Sequence, residues 1–106
     1  MAYRVVFSPE AYAHLASIYV YIAARAGHDV ANRFTDSIVA YCDSFTTFPH
    51  RGTRREDLRP DLRTIGFRRR VTVAFVVDED VIQIMGIFYG GRNLENFFGG
   101  DVESQG

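Results

Sequence analysis

The sequence contains no lysine and no tryptophan, and it has one cysteine. A single cysteine excludes a disulfide within the chain and a zinc site built from several cysteines. No apolar run is long enough to cross a bilayer or to act as a signal peptide, so we expect a cytoplasmic protein with no membrane partner. Because lysine is absent, all twelve strongly basic side chains are arginines, whose planar guanidinium suits paired contacts with carboxylate or phosphate.

The arginines are unevenly placed along the chain. Eight lie between Arg51 and Arg70, so residues 49–70 have a net charge of +5, whereas residues 71–106 have −5 and the whole chain −1. A nucleic-acid-binding module usually has a basic overall balance, so the local excess favours a docking site for an acidic partner. The alternative is a solvated loop whose charges are partly met by Glu56, Asp57 and Asp61.

Length and composition indicate one folded domain. The 106 residues are 47% hydrophobic and 14% aromatic, which is enough for a core. We expect the domain to span residues 1–98, with residues 99–106 as a frayed tail.

The first half of the chain predicts a strand over Tyr3–Phe7 followed by two helices. Ser8 is expected to cap the first helix, Gly27 to end it and Asp29 to cap the second. The second helix should end at Pro49, and its buried side is an apolar stripe: Val30, Phe34, Ile38, Tyr41, Phe45 and Phe48. The short connection predicts an antiparallel helical hairpin.

The second half predicts three strands, over Leu62–Phe67, Val71–Val77 and Val81–Tyr89. The last is apolar on both faces and therefore central, with Ile82, Ile84 and Phe88 on one face and Met85, Ile87 and Tyr89 on the other. The fold class is thus α+β, in the order β-α-α-β-β-β. The helical hairpin should pack on one face of a small, mainly antiparallel sheet. Residues 92–98 should form a short helix or an extended arm.

No residue pattern predicts catalysis by a metal or a nucleophile. The histidines His14, His28 and His50 fit no common metal motif, and Cys42 lies beside the apolar stripe as a packed thiol. We expect no catalytic residues, no metal and no cofactor.

Arginine and phenylalanine side chains form the candidate partner-binding site. Four of them lie on the loop: Arg51, Arg54, Arg55 and Arg59. Arg63 is fixed by a strand, and Arg92 follows Gly90-Gly91, so that the two could meet across the sheet; for Arg92 the alternative is a pair with Glu95. Phe97 and Phe98 complete the set. An exposed tyrosine on the first helix is a further candidate contact.

Five segments carry a family resemblance that runs from about Tyr3 to Phe98. They are Val6–Ala11, Ile18–Ala23, Phe48–Gly52, Arg55–Arg63 and Gly90–Arg92. In order and spacing these segments resemble the RelE/ParE toxin superfamily, and the proline–glycine loop before the Leu-Arg strand start is most similar to ParE-type toxins of type II toxin-antitoxin systems.

The resemblance implies a small cytoplasmic toxin that a cognate antitoxin binds and neutralises in a hetero-oligomer. ParE-type members are associated with inhibition of DNA gyrase; RelE-type members cut mRNA in the ribosome with basic residues and often a C-terminal tyrosine. This chain has no lysine, and Phe97 and Phe98 have no hydroxyl, which favours a gyrase-binding, non-enzymatic toxin. The alternatives are a RelE-like nuclease, in which a histidine serves as base, and an inactive member that only binds antitoxin.

The charge of +5 on residues 49–70, in a chain that is nearly neutral, indicates how the antitoxin would be held. We expect an extended or helical antitoxin segment to pack on the hairpin and the sheet, with acidic groups meeting some of the arginines. The toxin alone is not expected to bind nucleic acid directly.

Overall fold

A computed structural model describes residues 2–90 and 94–98 of the chain. The elements are β1 (Arg4–Phe7), α1 (Pro9–Ala26), α2 (His28–Asp43), a 3-10 turn (Ser44–Thr46), β2 (Thr53–Arg54), β3 (Leu62–Phe67), β4 (Val71–Asp78), β5 (Val81–Tyr89) and α3 (Leu94–Phe98). The five strands form one mixed sheet in the order β1-β5-β4-β3-β2, in which only the β1–β5 pair is parallel. The predicted α+β fold is confirmed, whereas the expected tail at 99–106 lies outside the described residues.

Ser8 joins the first strand, the first helix and the central part of the sheet. Its main-chain N–H donates to the Ile84 carbonyl at 2.9 Å. Its hydroxyl accepts from the Ala11 N–H at 3.0 Å, as the predicted helix cap, and donates to the Met85 carbonyl at 3.2 Å. Ser8 is buried, so each of these bonds satisfies a polar group that has little access to water.

The helical hairpin turns through one residue. Gly27 has φ 95°, a left-handed conformation that glycine adopts without steric cost, and its N–H donates to Ala23 to end α1. The predicted cap at Asp29 is wrong, because α2 already begins at His28 with no side-chain cap. Asp29 instead lies in the first turn, where a carboxylate is favoured by the helix dipole.

The apolar stripe of α2 ends earlier than the sequence predicted. The helix stops at Asp43, and the following 3-10 turn buries Phe45 against Phe75, with ring centroids 4.8 Å apart. Phe48, predicted as the last residue of the stripe, is 72% exposed. The tighter turn changes the angular spacing, so Phe48 no longer falls on the buried side.

A bulge in β5 divides the core between the two faces of the sheet. The pairing shifts from Ala74–Gly86 to Phe75–Ile84, so Met85 is the extra residue. The predicted faces of β5 are therefore wrong beyond Met85: Ile87 joins the helix side of the sheet and Phe88 the opposite side, where Met85 also lies.

Each face has its own apolar cluster. The helix-side cluster is formed mainly by buried residues of α1, α2, β4 and β5: Ala11, Leu15, Ile18, Ile38, Cys42, Phe45, Val71, Val73, Phe75, Ile82, Ile84 and Ile87. The smaller cluster on the opposite face contains Leu62, Ala74, Phe88 and Leu94, which α3 and the loop before β3 cover. Burial raises the pKa of the Cys42 thiol to about 12, which confirms its prediction as a packed thiol.

The two-residue strand β2 was not predicted, and it fixes the arginine-rich loop against β3. Thr53 pairs with Thr64 and Arg54 with Arg63. Gly52 makes this approach possible, because a Cβ atom there would lie 2.4 Å from the Thr64 carbonyl oxygen, and its φ of 78° also disfavours other residues.

We therefore expect Gly52→Ala to destabilise the fold by about 1–3 kcal/mol, from backbone strain and the steric conflict with Thr64. The measurement is the urea midpoint of unfolding. Gly66→Ala is the matched control, since a Cβ at Gly66 would meet only the Val71 carbonyl, at 3.9 Å. Equal midpoints for the two variants would contradict this account of the loop.

His14 completes the hydrogen bonding at the outer edge of β5. Because β1 pairs with β5 only as far as Ile84, no strand of the described chain lies beside the last part of β5 on the side away from β4. There the Ile87 N–H donates to His14 Nδ1 at 3.0 Å, which requires that nitrogen to be unprotonated. Burial lowers the pKa of His14 below its ordinary value of 6.5, and the Glu10 carboxylate partly opposes the shift.

This contact makes stability depend on pH. Since the pKa of His14 is lower in the folded protein, the unfolded chain takes up the proton first as the pH falls. The stabilisation from the Ile87–His14 bond is complete above the pKa of His14 in the unfolded state. It is lost as the pH falls through the lower pKa of His14 in the folded state. We expect the loss of Tm between pH 8 and pH 5 to be smaller in His14→Gln, whose amide oxygen can accept the same bond without titrating. An equal loss in both proteins would rule out this role.

Candidate partner-binding site

The eight arginines between Arg51 and Arg70 are close in sequence, but they lie at two opposite ends of the sheet. At one end, β3 begins where Leu62 pairs with Val76, next to the acidic turn 78–80. The loop arginines and Arg63 lie there. At the other end of β3, Phe67 pairs with Val71, and the turn between them carries residues 68–70. The predicted site is therefore only the first of two arginine groups.

Arg51 is used inside the fold. Its Nε donates to the Phe48 carbonyl at 2.6 Å and its NH2 to the Ser44 carbonyl at 3.4 Å, so it satisfies carbonyls just beyond α2. The guanidinium also lies 5.1 Å from the centre of the Phe45 ring. These contacts give Arg51 a structural role and leave it less free to bind a partner.

Arg54 and Arg55 have carboxylate partners, as the solvated-loop alternative requires. Arg55 donates through Nε and NH2 to both oxygens of Asp57 at 3.0 Å, and through NH2 to Glu95 at 3.4 Å. The latter bond ties the loop to α3. Arg54 pairs with Glu56 at the surface. Hydrogen bonds from these arginines lower the pKa of the Glu56 and Asp57 carboxyls.

Arg63 is the arginine that the fold leaves available. It is half-buried, and within the described residues its side chain has no carboxylate partner, only a 3.4 Å bond to the Arg51 carbonyl. Its direct neighbour across the β2–β3 pair is Arg54, a pair of like charges that Glu56, bonded to Arg54, partly offsets. Arg59 is exposed, and within residues 2–90 and 94–98 its side chain makes no hydrogen bond.

A polar cleft lies between these side chains. It has a volume of about 210 Å³ and is lined by His50, Arg54, Asp61, Arg63 and Val77. Two guanidiniums and an imidazole around one cleft can hold a carboxylate or a phosphate. His50 was not among the predicted binding residues, and the spacing of the sequence gave no signal for it, because only the β2–β3 register brings this loop together.

An apolar groove lies between α1 and the end of β5, where no strand covers the edge. Its volume is about 320 Å³, and its lining residues are His14, Ser17, Ile18, Tyr21, Ile87, Phe88, Tyr89 and Phe97. Of the two predicted phenylalanines, Phe97 lines this groove and is 42% exposed. Phe98 instead packs, partly buried, with the cluster on the opposite face of the sheet.

The outer face of α1 is also apolar. Tyr12, Val20 and Tyr21 are 61%, 66% and 44% exposed, and the charged groups of this helix are only Glu10 and Arg25. A surface helix normally has a polar outer face, so this composition indicates contact with another protein. The expected exposed tyrosine on the first helix is confirmed.

Some predicted features lie outside the described residues. Arg92, and with it the proposed contact to Arg63, belongs to the part of the chain that is not described. In the described ranges, no helix is long and apolar enough to cross a membrane, and no three side chains of metal-binding type come together.

The comparisons with known proteins agree on a toxin family. Residues 5–94 match the family model of the ParE toxin of the type II toxin-antitoxin system parDE. Among solved structures, the chain is similar to the chromosomal ParDE toxin-antitoxin system from P. aeruginosa, with 24% identity and a TM-score of 0.73 over 83% of this chain and 96% of the other.

It is also similar to the toxin-antitoxin complex RelBE2 from Mycobacterium tuberculosis, with 15% identity and a TM-score of 0.60 over 84% of this chain and 99% of the other. No protein of curated function matches it in sequence. Because the family model covers most of the chain, this protein belongs to the ParE toxin family of type II toxin-antitoxin systems.

Proposed function

We propose that this ParE-family toxin inhibits DNA gyrase by binding it, and that a cognate antitoxin neutralises the toxin by occupying the α1–β5 groove and the Arg63 cleft. The observation that carries the proposal is that one molecule has both an apolar groove and a cationic cleft. The described chain fills neither of them. Protein interfaces combine an apolar centre with a few charged contacts in this way.

The groove supports the apolar part of the contact. Tyr21 and Phe97 stand at its surface, while Ile18 and Ile87 form its floor. A helical or extended antitoxin segment with apolar side chains would bury these surfaces without displacing any strand. Burial of apolar area contributes about 25 cal/mol per Å², so covering the groove and the outer face of α1 would stabilise the complex.

The Arg63 cleft supports the charged part. A carboxylate that reaches Arg63 would also relieve the repulsion between Arg63 and Arg54, and it would meet donors already held by β2 and β3. Glu56 reaches only the Arg54 side of this pair by a direct ion pair. An acidic antitoxin residue therefore has an available partner in Arg63.

Membership in the family supports gyrase as the target, because ParE-type members are associated with this enzyme. The C-terminal segment is consistent with a binding toxin, since Phe97 and Phe98 are placed against Phe88 and not beside the arginines. Their packing gives the toxin an aromatic surface for protein contact.

A second candidate function, the ribosome-dependent nuclease, is favoured by one contact. His50 lies in the same cleft as Arg54 and Arg63. In that arrangement the imidazole would accept the proton of a 2′-hydroxyl, while the two guanidiniums would stabilise the charge that develops on the phosphate.

The antitoxin contact predicts a selective effect of charge removal. Arg63→Gln should weaken binding of the cognate antitoxin by about 10- to 100-fold, the loss expected for one hydrogen-bonded charge pair. Arg4→Gln removes the same charge from the far edge strand and should leave the affinity unchanged. Titration calorimetry measures both. Equal affinities for the two variants would remove the cleft from the antitoxin interface and leave the groove to carry the binding.

The gyrase proposal is tested with purified components. The toxin should inhibit DNA supercoiling by gyrase, and an equimolar amount of antitoxin should restore it. Unchanged supercoiling at saturating toxin would exclude gyrase. Cleavage of mRNA in the ribosomal A site that is lost in His50→Gln would then establish the nuclease, whereas normal growth without antitoxin would indicate a member that only binds antitoxin.

A further inference from the structure

We infer that the second arginine group, at the β3–β4 turn, is a separate surface that binds the phosphate backbone of duplex DNA. Its residues are Arg25 of α1, Arg33 of α2 and the turn residues Arg68, Arg69 and Arg70. None of these five arginines lines the Arg63 cleft or the α1–β5 groove, although Tyr21 and Tyr89 of the groove also border the surface, so the inference goes beyond antitoxin and gyrase binding.

Three elements bring these arginines together around Phe34. One open depression, of about 640 Å³, is lined by Arg33, Phe34 and Arg68 among others. A second, of about 330 Å³, is lined by Arg25, Phe34 and Arg70 among others. Phe34 borders both depressions, so the four arginines that line them are neighbours of this one residue, and Arg69 lies between Arg68 and Arg70 in the turn. All five arginines are exposed.

The positive charge of this surface is not neutralised by the fold. Within residues 2–90 and 94–98, the ion pairs are those of Arg54 and Arg55, at the other end of the sheet. Asp36 lines the first depression and Asp29 lies in the first turn of α2. These two carboxylates leave an excess of three positive charges over this surface.

Neutral contacts orient three of the arginines without removing their charge. The Arg25 guanidinium lies 3.7 Å from the centre of the Tyr21 ring and donates to the Tyr21 carbonyl at 3.1 Å. Arg68 lies 4.9 Å from the centre of the Phe67 ring. Arg70 donates to the Tyr89 hydroxyl at 3.4 Å. Each guanidinium keeps further N–H groups for a phosphate oxygen.

The turn itself presents arginine at a conformational cost. Arg68 and Arg69, the first two residues of the three-residue turn, have φ of 53° and 63°, the left-handed region in which asparagine and glycine are favoured. Local propensity therefore does not account for two arginines at these positions.

The overall charge of −1 does not oppose this surface, because Asp29 and Asp36 offset only two of its five charges and the acidic turn 78–80 lies far from it. The acidic turn 78–80 follows the opposite end of β4, an eight-residue strand of roughly 26 Å at about 3.3 Å per residue. This separation exceeds the screening length of about 8–10 Å at physiological salt. The expectation that the toxin alone does not bind nucleic acid rested on the overall charge, and the separation of the two ends removes that argument.

The distribution of positive charge on this surface favours duplex DNA over other anions. Duplex DNA presents one sign of charge, about one per 1.7 Å, which suits a surface with an excess of one sign. A single strand would need aromatic rings free for stacking on bases. Here Arg25 covers one face of Tyr21, while Phe34 and Tyr89 are half-buried. An acidic protein is the competing partner, and the experiment below separates the two.

The test is fluorescence anisotropy with a labelled 20-base-pair duplex of random sequence and the full-length toxin alone, between 50 and 200 mM NaCl. The turn variant is Arg68→Gln/Arg69→Gln. The control variant is Arg54→Gln/Arg59→Gln, which removes two charges from the other end of the sheet. Wild-type toxin should bind weakly, with Kd of roughly 1–100 μM, and the turn variant should bind roughly 10- to 100-fold more weakly with a salt slope smaller by about 1.8.

The control variant should bind DNA as the wild type does, and circular dichroism and Tm establish that both variants are folded. The inference is overturned if wild-type toxin does not bind the duplex at 50 mM NaCl or if both variants lose the same affinity. It is also overturned if single-stranded DNA binds more tightly than duplex, or if the turn variant loses antitoxin and keeps DNA. The assay contains neither gyrase nor antitoxin, so its outcome is independent of the proposed function.

Discussion

The junction at Ser8 is the constraint on which the rest of the molecule depends. One residue ends β1, caps α1 and satisfies the carbonyls of Ile84 and Met85 at the bulge of β5. Because the chain leaves the sheet at this point, α1 and not a strand lies beside the last part of β5, and His14 takes the bond that a strand would have made. The groove between α1 and β5 is a direct consequence, so the candidate interface follows from the way the first strand ends.

The topology of the strands, and not proximity in the sequence, decides where the arginine side chains lie. The arginine-rich stretch is one cluster in the sequence, but β3 places its two parts at opposite ends of the sheet. At the first end, Arg51 and Arg55 stabilise the loop and Arg63 remains available; at the second, the arginines are oriented by aromatic rings and a hydroxyl. Two docking surfaces with different partners can therefore coexist on a small chain whose overall charge is close to zero.

The elements with strong local signals could be predicted from the sequence, and the features that depend on long-range pairing could not. The Ser8 cap, the Gly27 turn and the three long strands follow from capping residues and hydrophobic period. The predicted faces of β5 were wrong beyond Met85, because a bulge is a property of the register with β4. The site was predicted as a set of arginines, but the register of β2 with β3 decides that Arg63 and His50 share a cleft.

The central claim is that antitoxin and nucleic acid contact different parts of this toxin. Hydrogen–deuterium exchange of the toxin, free and bound to each ligand, tests it most directly. The account predicts that the antitoxin protects residues 14–21 and 85–89 and leaves residues 68–70 as in the free toxin, while duplex DNA protects residues 68–70 and leaves residues 14–18 and 85–88 as in the free toxin. Protection of residues 68–70 by the antitoxin, with exchange in the groove unchanged, would contradict it.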